Sequence, residues 1–187
     1  NSLNTIDNQI NKLNHLMGEL LDISRIESGQ LPLHKDYFSL LKLVTETIED
    51  IKAAEQTHQI NFKLKHASDI EVFADKDRIT QVLNNLLTNA IKYSPTANKV
   101  KVTLFVEGDC AVVSVQDFGI GMDSYELNKI FDRFYRVSGK DEVTFPGFGI
   151  GLFIVKDIMD RHKGKIWVTS EKNEGSTFCF SLPLLEN

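Results

Sequence analysis

The sequence is poor in cysteine, with only Cys110 and Cys179, and neither sits in a CxxC or His-spaced pattern. That excludes a disulfide scaffold and a thiolate metal centre. Both lie in apolar runs, CAVVSV and FCFSL, which predicts reduced core thiols. No run approaches the ~20 apolar residues that span a bilayer, and the opening NSLNTIDNQI lacks the basic and apolar regions of a secretory leader. These residues therefore read as soluble and cytoplasmic. Because the chain starts inside a helical pattern, it reads as part of a longer protein, for which a membrane anchor stays open. There is no basic excess either: 21 Lys and Arg face 26 Asp and Glu, a net charge of -5. The cations are scattered, which argues against a general affinity for nucleic acid. Four prolines, no low-complexity tract and no internal repeat leave an ordinary globular composition, 42% hydrophobic and 25% charged. A length of 187 residues suffices for one well-cored domain with an appendage.

What is present begins with a stripe. Leu3, Ile6, Ile10, Leu13, Met17 and Leu20 alternate in spacings of three and four, the seam of a left-handed helical bundle. One such helix cannot bury its own seam, so the pattern predicts partners: a second copy of the chain and a further helix. The plainer alternative is an amphipathic helix folded onto its own domain. Gly29, Leu31 and Pro32 end this helix and mark a domain boundary.

Beyond it, Ser39 reads as the N-cap of a helix bearing Leu40, Leu43, Val44, Ile48 and Ile51 and ending near Thr57. Residues 60–65 and 70–74 read as strands, and Asp75 as the cap of a helix reaching Tyr93. The runs 101–108 and 110–117 form a hairpin around Gly108 and Asp109. A glycine-rich stretch leads to a helix over 150–161, and KIWVTS with STFCFSL closes the chain as another hairpin. The pattern predicts an α/β (α+β) two-layer sandwich, with helices on one face of a mixed, mostly antiparallel sheet, preceded by a long N-terminal helix.

Three features carry chemistry. On the helix after Asp75, Ile79, Val82, Leu83, Leu86, Ala90 and Ile91 form the core face, while Gln81, Asn85, Asn89 and Lys92 line a second edge. Carboxamide oxygens suit Mg²⁺, which keeps water and phosphate as its other ligands, and a lysine suits phosphate. A solvated helix face is the alternative. Asp117-Phe118-Gly119-Ile120-Gly121-Met122 puts a carboxylate at a strand end, able to accept from an exocyclic amine, beside glycines that admit a planar base. An ordinary turn is the alternative there. Gly147-Phe148-Gly149-Ile150-Gly151-Leu152 opens a helix whose free N–H groups favour phosphate. It lacks the Lys-Ser/Thr of a P-loop and the βαβ setting of a dinucleotide fold. Between the last two features, Phe131-Asp132-Arg133-Phe134-Tyr135-Arg136 reads as a ligand-responsive lid, or as a short helix from Asp123 that buries Phe131 and Phe134.

In order, NNLLTNAIKYSP, DFGIGM, FDRFYR, GFGIGL and GST (175–177) resemble the N, G1, F, G2 and G3 boxes of sensor histidine kinases. The stretch LLDISRIESGQL (20–31) looks like the end of that family's second dimerisation helix. The resemblance implies a Bergerat-type nucleotide fold over 31–187, with 1–30 as part of the dimerisation and phosphoacceptor domain, and ATP and Mg²⁺ as cofactors. Asn89 would hold the metal with help from Asn85. Lys92 would touch phosphate and Tyr93 would lie along the nucleotide. Asp117 would read the adenine amine, with Gly119 and Gly121 beside the base. Arg136 would reach phosphate from the lid; Gly147, Gly149 and Gly151, with Leu152 completing their box, would hug the phosphates; Thr177 would close the adenine pocket.

One departure matters: the family's acceptor motif, a His followed by an acid and then Arg-Thr-Pro, occurs nowhere. His15 precedes Leu-Met-Gly and does not replace it, and His34, His58, His66 and His162 read as surface residues. The expected protein presents the γ-phosphate of ATP to a histidine upstream of these residues, for relay to a response-regulator receiver domain, and works as a homodimer. Alone it should not autophosphorylate. Its rivals are the related gyrase and mismatch-repair ATPases, which carry a Glu where this chain has Asn85, anti-sigma serine kinases, and a non-catalytic nucleotide-sensing scaffold.

Overall fold

The computed structural model describes residues 2–29, 31–65, 69–137 and 148–184, and their side chains apart from those of 2–9, 11, 12, 14 and 15. The expectations for His66 and Gly147, and for the side chain of His15, fall outside the described residues. The chain divides into two compact units, Asn1–Leu33 and His34–Asn187.

The first unit is one helix, α1 (Ser2–Glu27). Gly29, at φ 68°, donates to the Ile26 carbonyl at 3.0 Å, the left-handed stop expected at this position. Ile10, Leu13, Met17, Leu20 and Leu21 are all more than half exposed. The described part of the seam, Ile10, Leu13, Met17 and Leu20, is exposed.

The second unit contains β1 (Asp36–Ser39), α2 (Leu40–Ala54), β2 (Gln59–Leu64), β3 (Glu71–Ala74), α3 (Lys76–Lys92), β4 (Lys99–Glu107), β5 (Cys110–Asp117), α4 (Gly151–Arg161), β6 (Lys165–Glu171) and β7 (Gly175–Pro183). A five-stranded sheet runs β2-β4-β5-β7-β6. Every neighbouring pair is antiparallel except β2–β4. Parallel pairing needs a long crossover, and β3 with α3 supplies it. β1 and β3 form a separate two-stranded antiparallel sheet.

The helices pack on the sheet because their apolar residues recur on one side. α2 buries Leu40, Leu43, Val44 and Ile48, and begins at Ser39, whose hydroxyl accepts from the Lys42 N–H. α3 buries Ile79, Val82, Leu83, Leu86, Leu87 and Ala90. These meet Val102, Leu104, Val113, Val115 and Phe180 of the sheet in a core with almost no exposure. Each such side chain contributes roughly 1.5–3 kcal/mol by leaving water.

Three expectations change. α2 ends at Ala54, not Thr57, because Glu55 turns to φ -130° and ψ 114°. Residues 123–135 are successive turns, closed by bonds such as Glu126 N–H to Asp123 O and Lys129 N–H to Glu126 O, in place of a short helix. Phe134 is 55% exposed there, so it is no core residue, while Ile130 is buried. Lastly, His162 is buried, not superficial: its Nδ1 bonds the Ile158 carbonyl at 2.7 Å and its Nε2 bonds the Asp75 N–H at 3.0 Å. Both cysteines are free thiols, with Cys179 buried and Cys110 half-buried.

Candidate functional site

The site starts from the second edge of α3. Asp75 caps the helix through the Arg78 N–H at 3.1 Å, which fixes where the helical phase begins. That phase puts Gln81, Asn85, Asn89 and Lys92 on the half-buried flank beside the core stripe. Asn89 Nδ2 donates to Asn85 Oδ1 at 3.0 Å, so the two amides are paired. A Cβ added to Gly151, the first residue of α4, would collide with Asn85 Nδ2. Glycine there lets the N-terminus of α4 rest on the polar edge of α3. At the other end of α3, Lys92 Nζ donates to Tyr93 Oη at 3.0 Å and lies 4.6 Å from the centre of that ring.

Asp117 ends β5 and is 4% exposed. Its Oδ1 accepts the N–H groups of Gly119 at 2.9 Å and Ser176 at 3.3 Å. Among the described residues no other residue donates a hydrogen bond to Oδ2. Burial raises the carboxyl pKa above the usual value, against the lowering pull of the Gly119 and Ser176 N–H groups and of its own backbone N–H. Gly119 then packs on the Tyr93 carbonyl, which also accepts the Ile120 N–H at 3.1 Å. The loop after β5 is thereby stitched to the C-terminal end of α3, which brings Asp117, Gly119, Tyr93 and Lys92 into one corner.

Two further segments close on that corner. Gly121 sits against the Glu171 carbonyl, and the Asn173 N–H bonds the Ile120 carbonyl at 2.7 Å. Thr177, half-buried in β7, pairs with Gln116 of β5 and Thr169 of β6. Gly149, at φ 67°, accepts the Phe134 N–H at 2.9 Å and lies so close to the Tyr135 carbonyl that a Cβ would strike it. The turn carrying Arg136 is joined in this way to the approach to α4. Arg136 and Leu152 are half-buried. A cavity of about 210 Å³ lies between the turn at Phe131–Arg133 and the α4 residues Phe153, Lys156, Asp157 and Asp160, and no expected binding residue lines it.

Sequence reasoning gave no role to Gly175, Ser176 or Ser170. Gly175 packs on the Asp117 carbonyl at φ 102°, and Ser176 donates its N–H to the carboxylate. The GST tripeptide pointed to these two positions without showing what they touch; nothing local pointed to Ser170.

The sequence profile of the histidine kinase-, DNA gyrase B-, and HSP90-like ATPases matches residues 74–186, a span holding every part of this site. The chain belongs to that family. Within it, this ATPase domain is similar to the sensor histidine kinase WalK of Bacillus subtilis, 32% identical over 181 residues that take in 96% of this chain and 30% of WalK. The chain therefore spans less than a third of that relative's length. The catalytic domain of the histidine kinase ThkA is 31% identical, with a TM-score of 0.68, over 81% of this chain and 96% of the ThkA domain. ThkA in complex with the response regulator protein TrrA matches at a TM-score of 0.72 and 26% identity, over 92% of this chain and 49% of that one. This is a histidine kinase catalytic domain, of a family whose substrate is ATP. Among its described residues no helix is long and apolar enough to cross a membrane.

Proposed function

We propose that this domain binds magnesium ATP between the polar edge of α3 and the Asp117 corner, and presents the γ-phosphate to a histidine on a separate helix of a sensor kinase. A response-regulator aspartate would receive it next. The observation that carries this reading is Asp117: a buried carboxylate whose Oδ1 is held by two backbone N–H groups while Oδ2 is left for an incoming donor. An adenine amine is such a donor, and Gly119 and Gly121 leave no side chain between the base and the loop.

The donor set suits a magnesium ion. Asn89 gives its amide to Asn85, which leaves Asn89 Oδ1 as a hard neutral oxygen. Among the described residues no group of three or more His, Cys, Asp or Glu is placed to hold a metal, so a cation here would share phosphate oxygens and water. When bound, Mg²⁺ supplies charge neutralisation to the phosphates. Lys92 adds a positive point charge at the same end, held by Tyr93. The N-terminus of α4 has no side-chain cap, which leaves its first N–H groups for phosphate oxygens. By resemblance, Gly147, Gly149, Leu152 and Arg136 assist there, and Thr177 borders the base.

Phosphoryl transfer rests on positioning and charge stabilisation, so the nucleophile can come from another segment. Asn85 favours transfer to that segment over hydrolysis. A carboxamide takes no proton from water, and its Oδ1 already accepts the Asn89 amide. The exposed seam residues Ile10, Leu13, Met17 and Leu20 of α1 support residues 1–30 as the second helix of a dimerisation domain, pairing with its own copy and with an acceptor helix, and 31–187 as the catalytic part. We place the domain in the cytoplasm, where its ATP and its regulator are found.

Calorimetry with ATP and Mg²⁺ on the wild type, Asn89→Ala and Asp117→Ala tests the pocket; unchanged affinity in both variants removes it. Incubation with labelled ATP and a separate acceptor-helix protein tests the transfer, with acid-labile label on histidine expected. An unlabelled acceptor despite ATP binding leaves a nucleotide-sensing scaffold, and rapid hydrolysis without acceptor leaves a gyrase-like ATPase.

A further inference from the structure

Ser170, half-buried in β6, stands outside the binding residues, yet its hydroxyl is at the centre of three contacts. Oγ donates to the Gly175 carbonyl at 2.9 Å and accepts the Met122 N–H at 2.9 Å. It lies 3.0 Å from Ser176 Oγ, whose proton it accepts, since its own is given to Gly175. A hydroxyl offers one donor and two acceptor positions, and all three are used.

The partners belong to the two segments that hold Asp117. Met122 ends the loop that starts at the acid and supplies the Gly119 N–H to its Oδ1. Gly175 packs on the Asp117 carbonyl, and Ser176 provides the second N–H to Oδ1. Without the hydroxyl these segments lose a common anchor, and the carboxylate loses the reference that aims Oδ2. Aim matters because hydrogen bonds weaken steeply away from linearity. Adenine presents an amine where guanine presents a carbonyl oxygen, so a fixed acceptor attracts the first base and repels the second.

We propose that Ser170 is a positioning residue for base recognition, whose hydroxyl ties the 118–122 loop to Gly175–Ser176 and thereby sets the preference of the site for adenine over guanine nucleotides. This rests on the reading of Asp117 as the acceptor of the base amine.

The test uses the purified chain and calorimetric titration with magnesium ATP and magnesium GTP. Ser170→Thr and Ser170→Val are compared, since both are β-branched strand formers and differ in the hydroxyl. Losing an aimed hydrogen bond to a charged acceptor is worth roughly tenfold in affinity or more. Ser170→Val should therefore lower the ATP-to-GTP affinity ratio by about that factor, while Ser170→Thr keeps it within about twofold. Thermal melting of each variant reports folding; if the valine variant does not fold, Ser170→Ala takes its place with the same expectation. Should Ser170→Val keep the wild-type ratio while Asp117→Ala abolishes it, the positioning role is overturned and the reading of Asp117 stands. Equal losses in Ser170→Thr and Ser170→Val overturn it too, because shape and not the hydroxyl would then decide. If Asp117→Ala leaves the ratio intact, the underlying reading falls, and this inference with it.

Discussion

His162 offers a sharp test of the packing that supports the site. Its ring caps the C-terminus of α4 and reaches Asp75, the residue that caps the N-terminus of α3. With Nδ1 facing the Ile158 carbonyl and Nε2 facing the Asp75 N–H, only the neutral tautomer protonated at Nδ1 satisfies both bonds. A second proton would set Nε2–H against N–H in a place almost without solvent. Burial accordingly lowers the pKa of His162 below its ordinary 6.5, helped by the charge of Lys35 and opposed by the Ile158 bond and Asp75. At pH 7.5 both folded and unfolded states are almost wholly neutral at this position, and its contribution to stability is nearly complete. As the pH falls below 6.5 the unfolded state takes up a proton that the folded state refuses, and stability is lost down to the folded pKa. The greatest loss from this residue between pH 7.5 and 5.5 is about 1.4 kcal/mol. His162→Gln removes the titration and, at pH 7.5, costs about 1–3 kcal/mol in disturbed buried hydrogen bonding. The measurement is urea unfolding of both proteins at pH 7.5, 6.5 and 5.5, followed by far-ultraviolet circular dichroism. The stability difference between them should shrink as the pH falls, because only the wild type loses the His162 contribution; the other histidines cancel in the subtraction. A difference that stays constant, or an imidazole signal of His162 titrating at or above 6.5 in the folded protein, refutes the reasoning.

Gly119→Ala sets a Cβ on the Tyr93 carbonyl, a backbone atom with no freedom to swing aside; overpacking costs about 1–3 kcal/mol, seen in melting, and ATP affinity should fall with it. Gly151→Ala meets only the terminal amide of Asn85, which can rotate, so the melting temperature should hardly move while ATP affinity drops as the Asn85–Asn89 pair is disturbed. Asp117→Asn should stabilise the apo protein at neutral pH: a pKa raised by burial means that the ionised acid is costly to the fold above its ordinary 3.8, and the carboxamide removes that cost. The same variant should lose ATP affinity and gain relative affinity for GTP, since an amide N–H now faces the base; calorimetry reads both.

Much of the fold was legible because its signals are local. Ser39 and Asp75 announce their helices by side-chain chemistry confined to four residues, and both accept the predicted type of N–H. The two stripes of α3 follow from helical geometry alone. One was expected to be buried, and Ile79, Val82, Leu83, Leu86 and Ala90 are, while Ile91 is only half-buried; Gln81, Asn85, Asn89 and Lys92 of the other are half-buried beside them. What stayed hidden depends on distant partners. β1 is four residues long and pairs with β3 some 35 positions away, and no alternation within DYFS announces that. His162 sits between Arg161 and Lys163, so its neighbours suggest solvent; only the packing of α4 against α3 buries it. Ser170 resembles any strand serine until Met122 and Gly175 are brought to it from two other segments.

These hidden contacts share a physical form that explains how the site is built. Asp117 is held by backbone N–H groups, and Gly119, Gly121 and Gly175 each press against a carbonyl of another segment. Backbone groups have no rotamers to lose, so a carboxylate fixed by them is pre-organised at little entropic cost. Close approach requires glycine at each crossing, which sets three of the 11 glycines around the acid. The polar edge of α3 is arranged differently: Asn85, Asn89 and Lys92 are held by one another and by Tyr93 through side chains that can move. On the proposed reading of the site, a rigid corner beside an adjustable edge suits a nucleotide whose purine must be identified while its phosphate chain is delivered elsewhere. On this argument, substitutions at the glycine crossings should damage base selection and stability together. Substitutions along Asn85, Asn89 and Lys92 should lower phosphate-dependent affinity with little change in melting temperature. Comparing adenosine with magnesium ATP as ligands across the two sets separates these effects, and a common response to both ligands in both sets would refute the division.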